Sequence, residues 1–148
     1  MRILAIDYGT VRVGIAVTDP QQIISTGLTT VPTKEIFEFL TTYLQKEKVE
    51  SFVIGEPKHM DNTPSQSAGA IEKFTEQLRN KFPGMPIYQV DERLTSRMAF
   101  QTMIDGGLKK KDRQNKGTVD MVSAALILQS FMEMKKEGRL PPDISAYS

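Results

Sequence analysis

Acidic residues stand at the ends of several predicted elements, and they are the strongest candidates for chemistry. Asp7 closes the first apolar run, Asp91 and Glu92 close a later one, and Asp120 lies near the start of the last predicted helix. Strand ends and helix starts on one side of an α/β sheet are where ligand sites form. Carboxylates that converge there would repel one another unless they shared a divalent cation such as Mg²⁺, which takes oxygen ligands and retains waters. Two such ions, about 3.5–4 Å apart, support phosphodiester hydrolysis.

Each of these acids also has a purely structural interpretation. Asp7 could form a turn, and Asp91 or Glu92 could join Arg93 in a surface ion pair of small energetic value. Asp120 could simply oppose the dipole of its helix. Each account is adequate for its own residue, but together they leave unexplained why carboxylates end the elements at the same side of the sheet.

The composition narrows the available chemistry. The chain has 148 residues, no cysteine and a single histidine, His59. Disulfides, thiol catalysis, cysteine-ligated metals and the HExxH metalloprotease site are therefore excluded. His59 is interpreted as a solvated loop residue, with assistance to a phosphate as the alternative. A chain with 39% hydrophobic and 25% charged residues is typical of a globular protein, and this length predicts one domain.

The net charge of +1 conceals an uneven distribution. Residues 93–116 carry seven basic and two acidic side chains, whereas the rest of the chain carries twelve basic and sixteen acidic ones. Such a segment is either a solvated loop or a contact for a phosphate backbone. The candidate nucleic-acid contacts in it are Arg93, Arg97, Lys109, Lys110, Lys111, Arg113 and Lys116.

The elements that would position the acids follow from apolar periodicity and turn signals. Two strands over residues 2–7 and 11–18 form an antiparallel hairpin, and a weaker third strand covers residues 23–31. Thr33 and Thr118 are predicted helix N-caps. The remaining predicted elements are a strand over 51–55, a helix opened by Thr63-Pro64, a strand over 86–90 and a short helix from Thr95 to Gly106.

The order β-β-β-α-β-α-β-α-α predicts a mixed sheet with helices on both faces, a three-layer α/β/α domain. We expect a single domain over residues 1–138. Residues 139–148, which include Pro141-Pro142, are expected to form an extended or disordered tail. The N-terminal apolar stretch is too short for a signal peptide, and no apolar run could span a bilayer. A cytoplasmic protein without a membrane partner is expected.

Three sequence blocks resemble the YqgF family, whose members are also called RuvX-type proteins. The blocks are Ile6-Asp7-Tyr8-Gly9 with Arg12–Ala16, then Asp91–Ser96 with Ala99, then Asp120 with Ala124-Ala125 and Ile127-Leu128. They occur in order and at suitable spacing, and the resemblance extends from residue 2 to about residue 136.

The resemblance implies a ribonuclease H-like fold whose five-stranded mixed sheet has the order 3-2-1-4-5. It implies that Asp7, Glu92 and Asp120 are the catalytic, metal-binding acids, with Mg²⁺ or Mn²⁺ as cofactor and Asp91 as a substitute or helper. Gly9 and Arg12 would shape that corner of the site, with Arg12 among the nucleic-acid contacts. The basic segment from Lys109 to Lys116 would bind the phosphate backbone of the substrate.

One position departs from the family pattern. The fourth predicted strand ends Gly55-Glu56-Pro57, where the family commonly has an apolar residue between glycine and proline. Related nucleases often place their second acid at the end of this strand, so Glu56 is an alternative ligand to Glu92. The plain alternative is that Glu56 faces solvent.

Two functions with the same chemistry remain open. The first is a metal-dependent nuclease that processes the 5′ end of the 16S ribosomal RNA precursor, with ribosomal precursor particles as partners. The second is a Holliday junction resolvase acting on branched DNA, for which a homodimer rather than a monomer would match the junction's symmetry. The fold accepts both substrates. Alternatives of other classes are a non-catalytic nucleic-acid binding module and an actin-like phosphotransferase, which needs two such domains where 148 residues supply one.

Overall fold

The computed structural model describes residues 1–56, 68–91 and 116–145. Its five strands are β1 (Arg2–Tyr8), β2 (Arg12–Thr18), β3 (Ser25–Pro32), β4 (Val49–Glu56) and β5 (Ile87–Asp91). A 3₁₀ turn (Thr33–Glu35) leads into α1 (Ile36–Lys46), and the other helices are α2 (Ala68–Lys81) and α3 (Lys116–Lys136). None of the helices in these ranges is long and apolar enough to cross a membrane.

The strands form one mixed sheet in the order β3-β2-β1-β4-β5. β1 pairs antiparallel with β2 and parallel with β4, while β3 extends the antiparallel side and β5 the parallel side. The predicted mixed sheet and its strand order are confirmed. β2 begins at Arg12 rather than Val11, whose side chain is 72% exposed. Asp7 lies near the carboxyl end of the central strand.

Apolar residues on the two faces of the sheet form two separate core layers. Along β1, Leu4 and Ile6 belong to one layer, while Ile3 and Ala5 belong to the other, as strand alternation requires. The first layer includes Ile36 and Leu40 of α1 and Ile71, Phe74 and Leu78 of α2. The second layer is covered by Ala124, Ile127, Leu128 and Phe131 of α3. The predicted three-layer α/β/α architecture is therefore confirmed.

The predicted N-cap at Thr33 is wrong. α1 begins at Ile36 after a 3₁₀ turn, and neither the turn nor the helix has a side-chain cap hydrogen bond. The Thr33 hydroxyl instead donates to the carbonyl oxygen of Gly9 at 2.6 Å. A hydroxyl that could satisfy a helix end is used here to fix the β1–β2 connection, a long-range contact that local sequence does not reveal.

The last helix also begins earlier than predicted. α3 starts at Lys116, so Thr118 lies inside it rather than at its N-cap. A difference of two residues is the usual uncertainty of helix ends. The predicted helix start at Thr63-Pro64, the short helix over 95–106 and His59 lie outside the described residues.

The segment after α3 contacts Ile87, the first residue of β5. The backbone N–H of Ile144 donates to the carbonyl oxygen of Ile87 at 2.8 Å, and Ile144 packs against the first core layer. The Asp143 carboxylate accepts the N–H groups of Ile87 at 3.0 Å and Ser145 at 2.9 Å. Burial raises the pKa of Asp143, but these hydrogen bonds outweigh it, and the net pKa lies below its usual value.

Candidate active site

Gly14 is the neighbour of both Asp7 and Asp120. Asp7 is the register partner of Gly14 in the antiparallel β1–β2 pair, so their Cα atoms are about 4.5–5.5 Å apart. A Cβ atom on Gly14 would overlap the carbonyl oxygen of Asp120 and lie 2.9 Å from the Cβ of Asp120. Two acids separated by 113 positions in sequence therefore come together where α3 crosses β2.

Both acids belong to the α3 face of the sheet. Ile3 and Ala5 contact the layer beneath α3, and Asp7 continues the same alternation at the end of β1. Asp7 and Asp120 are both half-buried. Both side chains therefore lie at the rim of the α3 core layer and are partly exposed to solvent.

Arg12 is an ion-pair partner of Asp120. Its Nε atom lies 2.5 Å from Oδ2 of Asp120, and the side chains are 36% and 21% exposed, respectively. Opposite charges at this separation attract each other strongly in a partly buried environment. Arg12, predicted from the family resemblance to shape this corner, therefore contacts one of the acids directly.

The β1–β2 turn determines the position of Arg12, the first residue of β2. A Cβ atom on Gly9 would lie 2.6 Å from the carbonyl oxygen of Arg12, a separation that side-chain-bearing residues do not adopt. Thr33 holds the other side of the turn, through its hydroxyl to Gly9 and its backbone N–H to the Val11 carbonyl oxygen at 3.0 Å. The position of Arg12 beside Asp120 thus depends on a glycine and on a threonine from the next element.

Thr30 is a site neighbour that the sequence reasoning missed. It is the β3 partner of Gly14, so Thr30, Gly14 and Asp7 form one row across three strands. The register depends on a bulge, because Gly27 pairs with Ala16 and Thr29 with Ile15, which leaves Leu28 as the additional residue. Only this bulge brings Thr30 into the row, and the alternation of a weak strand gives no signal for it.

Most of the remaining predicted site residues lie outside the described ranges. Glu92, Arg93, Arg97, Lys109, Lys110, Lys111 and Arg113 lie outside the described residues. For Glu56, Asp91 and Lys116 only the backbone is described: Glu56 and Asp91 are register partners of β4 and β5, and Lys116 is the first residue of α3. Within residues 1–56, 68–91 and 116–145, no three acidic or histidine side chains form a metal-binding group. The third ligand stays a prediction.

The sequence of the chain matches a known family over residues 1–134, and that family is described as "RuvX: Holliday junction resolvase". The chain belongs to the RuvX family. The predicted resemblance is thereby confirmed, and it includes both Asp7 and Asp120 within the matched region.

Bacterial relatives of this RuvX chain share more than half of its residues. A protein of Flavobacterium johnsoniae is 56% identical over 135 residues, covering 91% of this chain and 98% of its own. A protein of Flavobacterium psychrophilum is 58% identical over 134 residues, covering 90% and 98%. Both carry the name "Putative pre-16S rRNA nuclease".

Solved structures identify the fold of this RuvX chain as ribonuclease H-like. RuvC of Thermus thermophilus, determined in complex with a Holliday junction substrate, superposes with a TM-score of 0.63 at 17% identity, covering 96% of this chain and 99% of RuvC. A second structure of the same protein gives a TM-score of 0.59 at 18% identity. At this identity the similarity concerns the fold alone.

Proposed function

We propose that this RuvX chain is a divalent-metal-dependent endonuclease that hydrolyses phosphodiester bonds in structured nucleic acid. The observation that carries the proposal is the meeting of Asp7 and Asp120 at Gly14, in a chain whose relatives are named as nucleases. Two carboxylates at the rim of a ribonuclease H-like sheet provide the oxygen donors that Mg²⁺ or Mn²⁺ prefers. When bound, such ions supply an activated water and stabilise the leaving oxygen.

The third acid is proposed to be Glu92. The support for Glu92 is the family resemblance, which groups it with Asp7 and Asp120 and gives Asp91 only as a substitute or helper. Glu56 remains the alternative from the end of β4. A metal titration of Glu92→Gln, Asp91→Asn and Glu56→Gln variants tests the assignment. Only replacement of the true ligand should weaken metal binding by about tenfold or more.

The basic segment is proposed to bind the substrate backbone. Lys116 is the first residue of α3, and Asp120 lies about one turn further along the same helix. The basic segment therefore leads directly into the helix that carries Asp120. Arg93, Arg97, Lys109, Lys110, Lys111 and Arg113 supply the other positive charges. Positive side chains there would neutralise phosphates near the scissile bond and raise the association rate.

The proposed substrate is the 5′ region of the 16S ribosomal RNA precursor. This substrate follows the names of relatives that share more than half of their residues with the chain and align over nearly their whole length. A branched DNA junction is the second candidate, because the family description names Holliday junction resolution.

Cleavage assays would separate these candidates. A 16S precursor fragment and a four-way DNA junction should each be incubated with the protein in Mg²⁺, in Mn²⁺ and in EDTA. We expect cleavage of the RNA only with metal, and loss of at least about 100-fold in rate for Asp7→Asn and Asp120→Asn. Glu72→Gln, an exposed acid on α2, is the matched control and should leave the rate unchanged.

Each outcome of the assay has a distinct meaning. Preferential cleavage of the junction would favour the resolvase. Equal residual activity in Asp7→Asn, Asp120→Asn and wild type would overturn the metal site. Nucleic-acid binding without cleavage of either substrate would favour a binding module.

A further inference from the structure

Arg12 contacts one of the two carboxylate oxygens that Asp120 could offer to a cation. Its Nε atom lies 2.5 Å from Oδ2 of Asp120, and that oxygen is itself buried. A guanidinium at this distance neutralises much of the negative charge on the carboxylate. A divalent cation approaching the same oxygen meets a positive charge already in place.

We propose that Arg12 competes with the divalent metal for Asp120 and thereby sets a low metal affinity in the protein without substrate. In the metal-free state Arg12 stabilises the carboxylate, and metal binding requires the Nε–Oδ2 contact to be given up. This role rests on the proposed function. It is separate from the proposed contact between Arg12 and nucleic acid.

The surrounding structure restricts both partners of the pair. The backbone of Asp120 cannot move towards β2, because Gly14 already lies against its carbonyl oxygen and Cβ. Arg12 is held at the start of β2 by its register with Pro32 and by the close contact of its carbonyl group with Gly9. Side-chain rotation of Arg12, which is 36% exposed, is therefore the simplest way to separate the charges.

The released guanidinium would remain within the substrate site. Arginine presents a planar fork of N–H donors that suits phosphate oxygens as well as carboxylates. A phosphodiester bound near Asp7 and Asp120 offers Arg12 a replacement anion. The substrate would then favour metal binding by removing the competitor, which couples the two binding events.

Metal affinity of the substrate-free protein tests the proposal directly. MnCl₂ should be titrated by calorimetry into wild type and into Arg12→Gln, Arg12→Lys and Asp7→Asn variants of the full chain. We expect Arg12→Gln to bind Mn²⁺ about two- to fivefold more tightly than wild type, in line with the modest strength of a partly exposed ion pair. Its melting temperature in EDTA should be lower than that of wild type, and its increase on adding Mn²⁺ should be larger.

Arg2→Gln is the matched control. Arg2 also forms a partly buried ion pair, Nε to Glu47 Oε2 at 3.3 Å, but at the opposite end of β1 from Asp7. The Arg2→Gln substitution removes one positive charge, as Arg12→Gln does, and should leave the Mn²⁺ affinity unchanged. Arg12→Lys keeps the charge without the planar fork, and we expect its affinity to lie between those of wild type and Arg12→Gln. If Arg12→Gln does not fold, Arg12→Lys provides the same comparison.

The failure of this proposal can be distinguished from failure of the metal site itself. Unchanged or weaker Mn²⁺ binding in Arg12→Gln, while wild type binds Mn²⁺ and Asp7→Asn does not, would overturn the competition and leave the metal site intact. Equal tightening in Arg2→Gln would also overturn it, because a general charge effect would then suffice. Absence of Asp7-dependent Mn²⁺ binding in wild type would overturn the metal site and the competition together.

Discussion

Gly14 lies so close to Asp120 that a Cβ atom at this glycine would overlap the Asp120 carbonyl oxygen. The contact brings α3 against β2 at the point where Asp7 pairs with Gly14. A glycine is thus required by the close approach of two backbones, and the same approach brings the two acids together.

Gly14→Ala should therefore destabilise the fold by about 1–3 kcal/mol, as overpacking does in other cores. The measurement is urea denaturation followed by circular dichroism. Gly69→Ala is the control: a Cβ at Gly69 has nothing within 4 Å, and alanine favours the helix. Equal stability of Gly14→Ala and wild type would contradict the close contact.

Thr33→Val should loosen the β1–β2 turn, because it removes the hydrogen bond from the Thr33 hydroxyl to Gly9. We expect a loss of about 1 kcal/mol in the free energy of unfolding. Thr41→Val removes a comparable hydroxyl bond to the Phe37 carbonyl on the exposed face of α1 and should cost less. A larger loss for Thr41→Val would refute a special role for Thr33.

Asp143→Ala should release the tail from β5 and cost about 1 kcal/mol at neutral pH, since solvent screens an exposed carboxylate. The pKa of Asp143 lies below its usual 3.8 in the folded protein. The charged form therefore stabilises the fold above pH 3.8, and this contribution is lost as the pH falls through the lower folded-state value. Melting temperatures from pH 7 to pH 3 should show the wild-type advantage narrowing only at the acid end.

Replacing Lys109, Lys110 and Lys111 by glutamine should weaken binding to duplex RNA and make it less salt-dependent. Each lost phosphate contact lowers the slope of log K against log salt by about 0.9 or less. The triple variant Lys46→Gln, Lys48→Gln, Lys73→Gln removes the same charge from exposed positions on other surfaces. If both triple variants lose the same affinity, the effect is one of net charge alone.

The sheet and its central acid could be predicted because their signals are local. Alternating apolar residues define β1 and β2, and an acid that ends a buried strand is visible in sequence. The family resemblance supplied the strand order, which periodicity alone leaves open.

Long-range contacts account for what the sequence did not reveal. The Thr33 hydroxyl donates a hydrogen bond to the Gly9 carbonyl oxygen and does not cap a helix. The bulge at Leu28 places Thr30 opposite Gly14. The Arg12–Asp120 pair joins residues more than 100 positions apart. Each of these features depends on tertiary geometry that no local pattern encodes.

The order of β1 and α3 along the chain has a consequence for biosynthesis. Ile3 and Ala5 of β1 are synthesised more than 100 residues before Ala124, Ile127 and Leu128 of α3, which belong to the same core layer. During translation, this layer lacks its α3 residues until that helix has left the ribosome. Asp120 arrives with the same helix, so a prematurely terminated chain would lack both its second core layer and half of the described acid pair. Synthesis of α3 and assembly of the acid pair thus coincide.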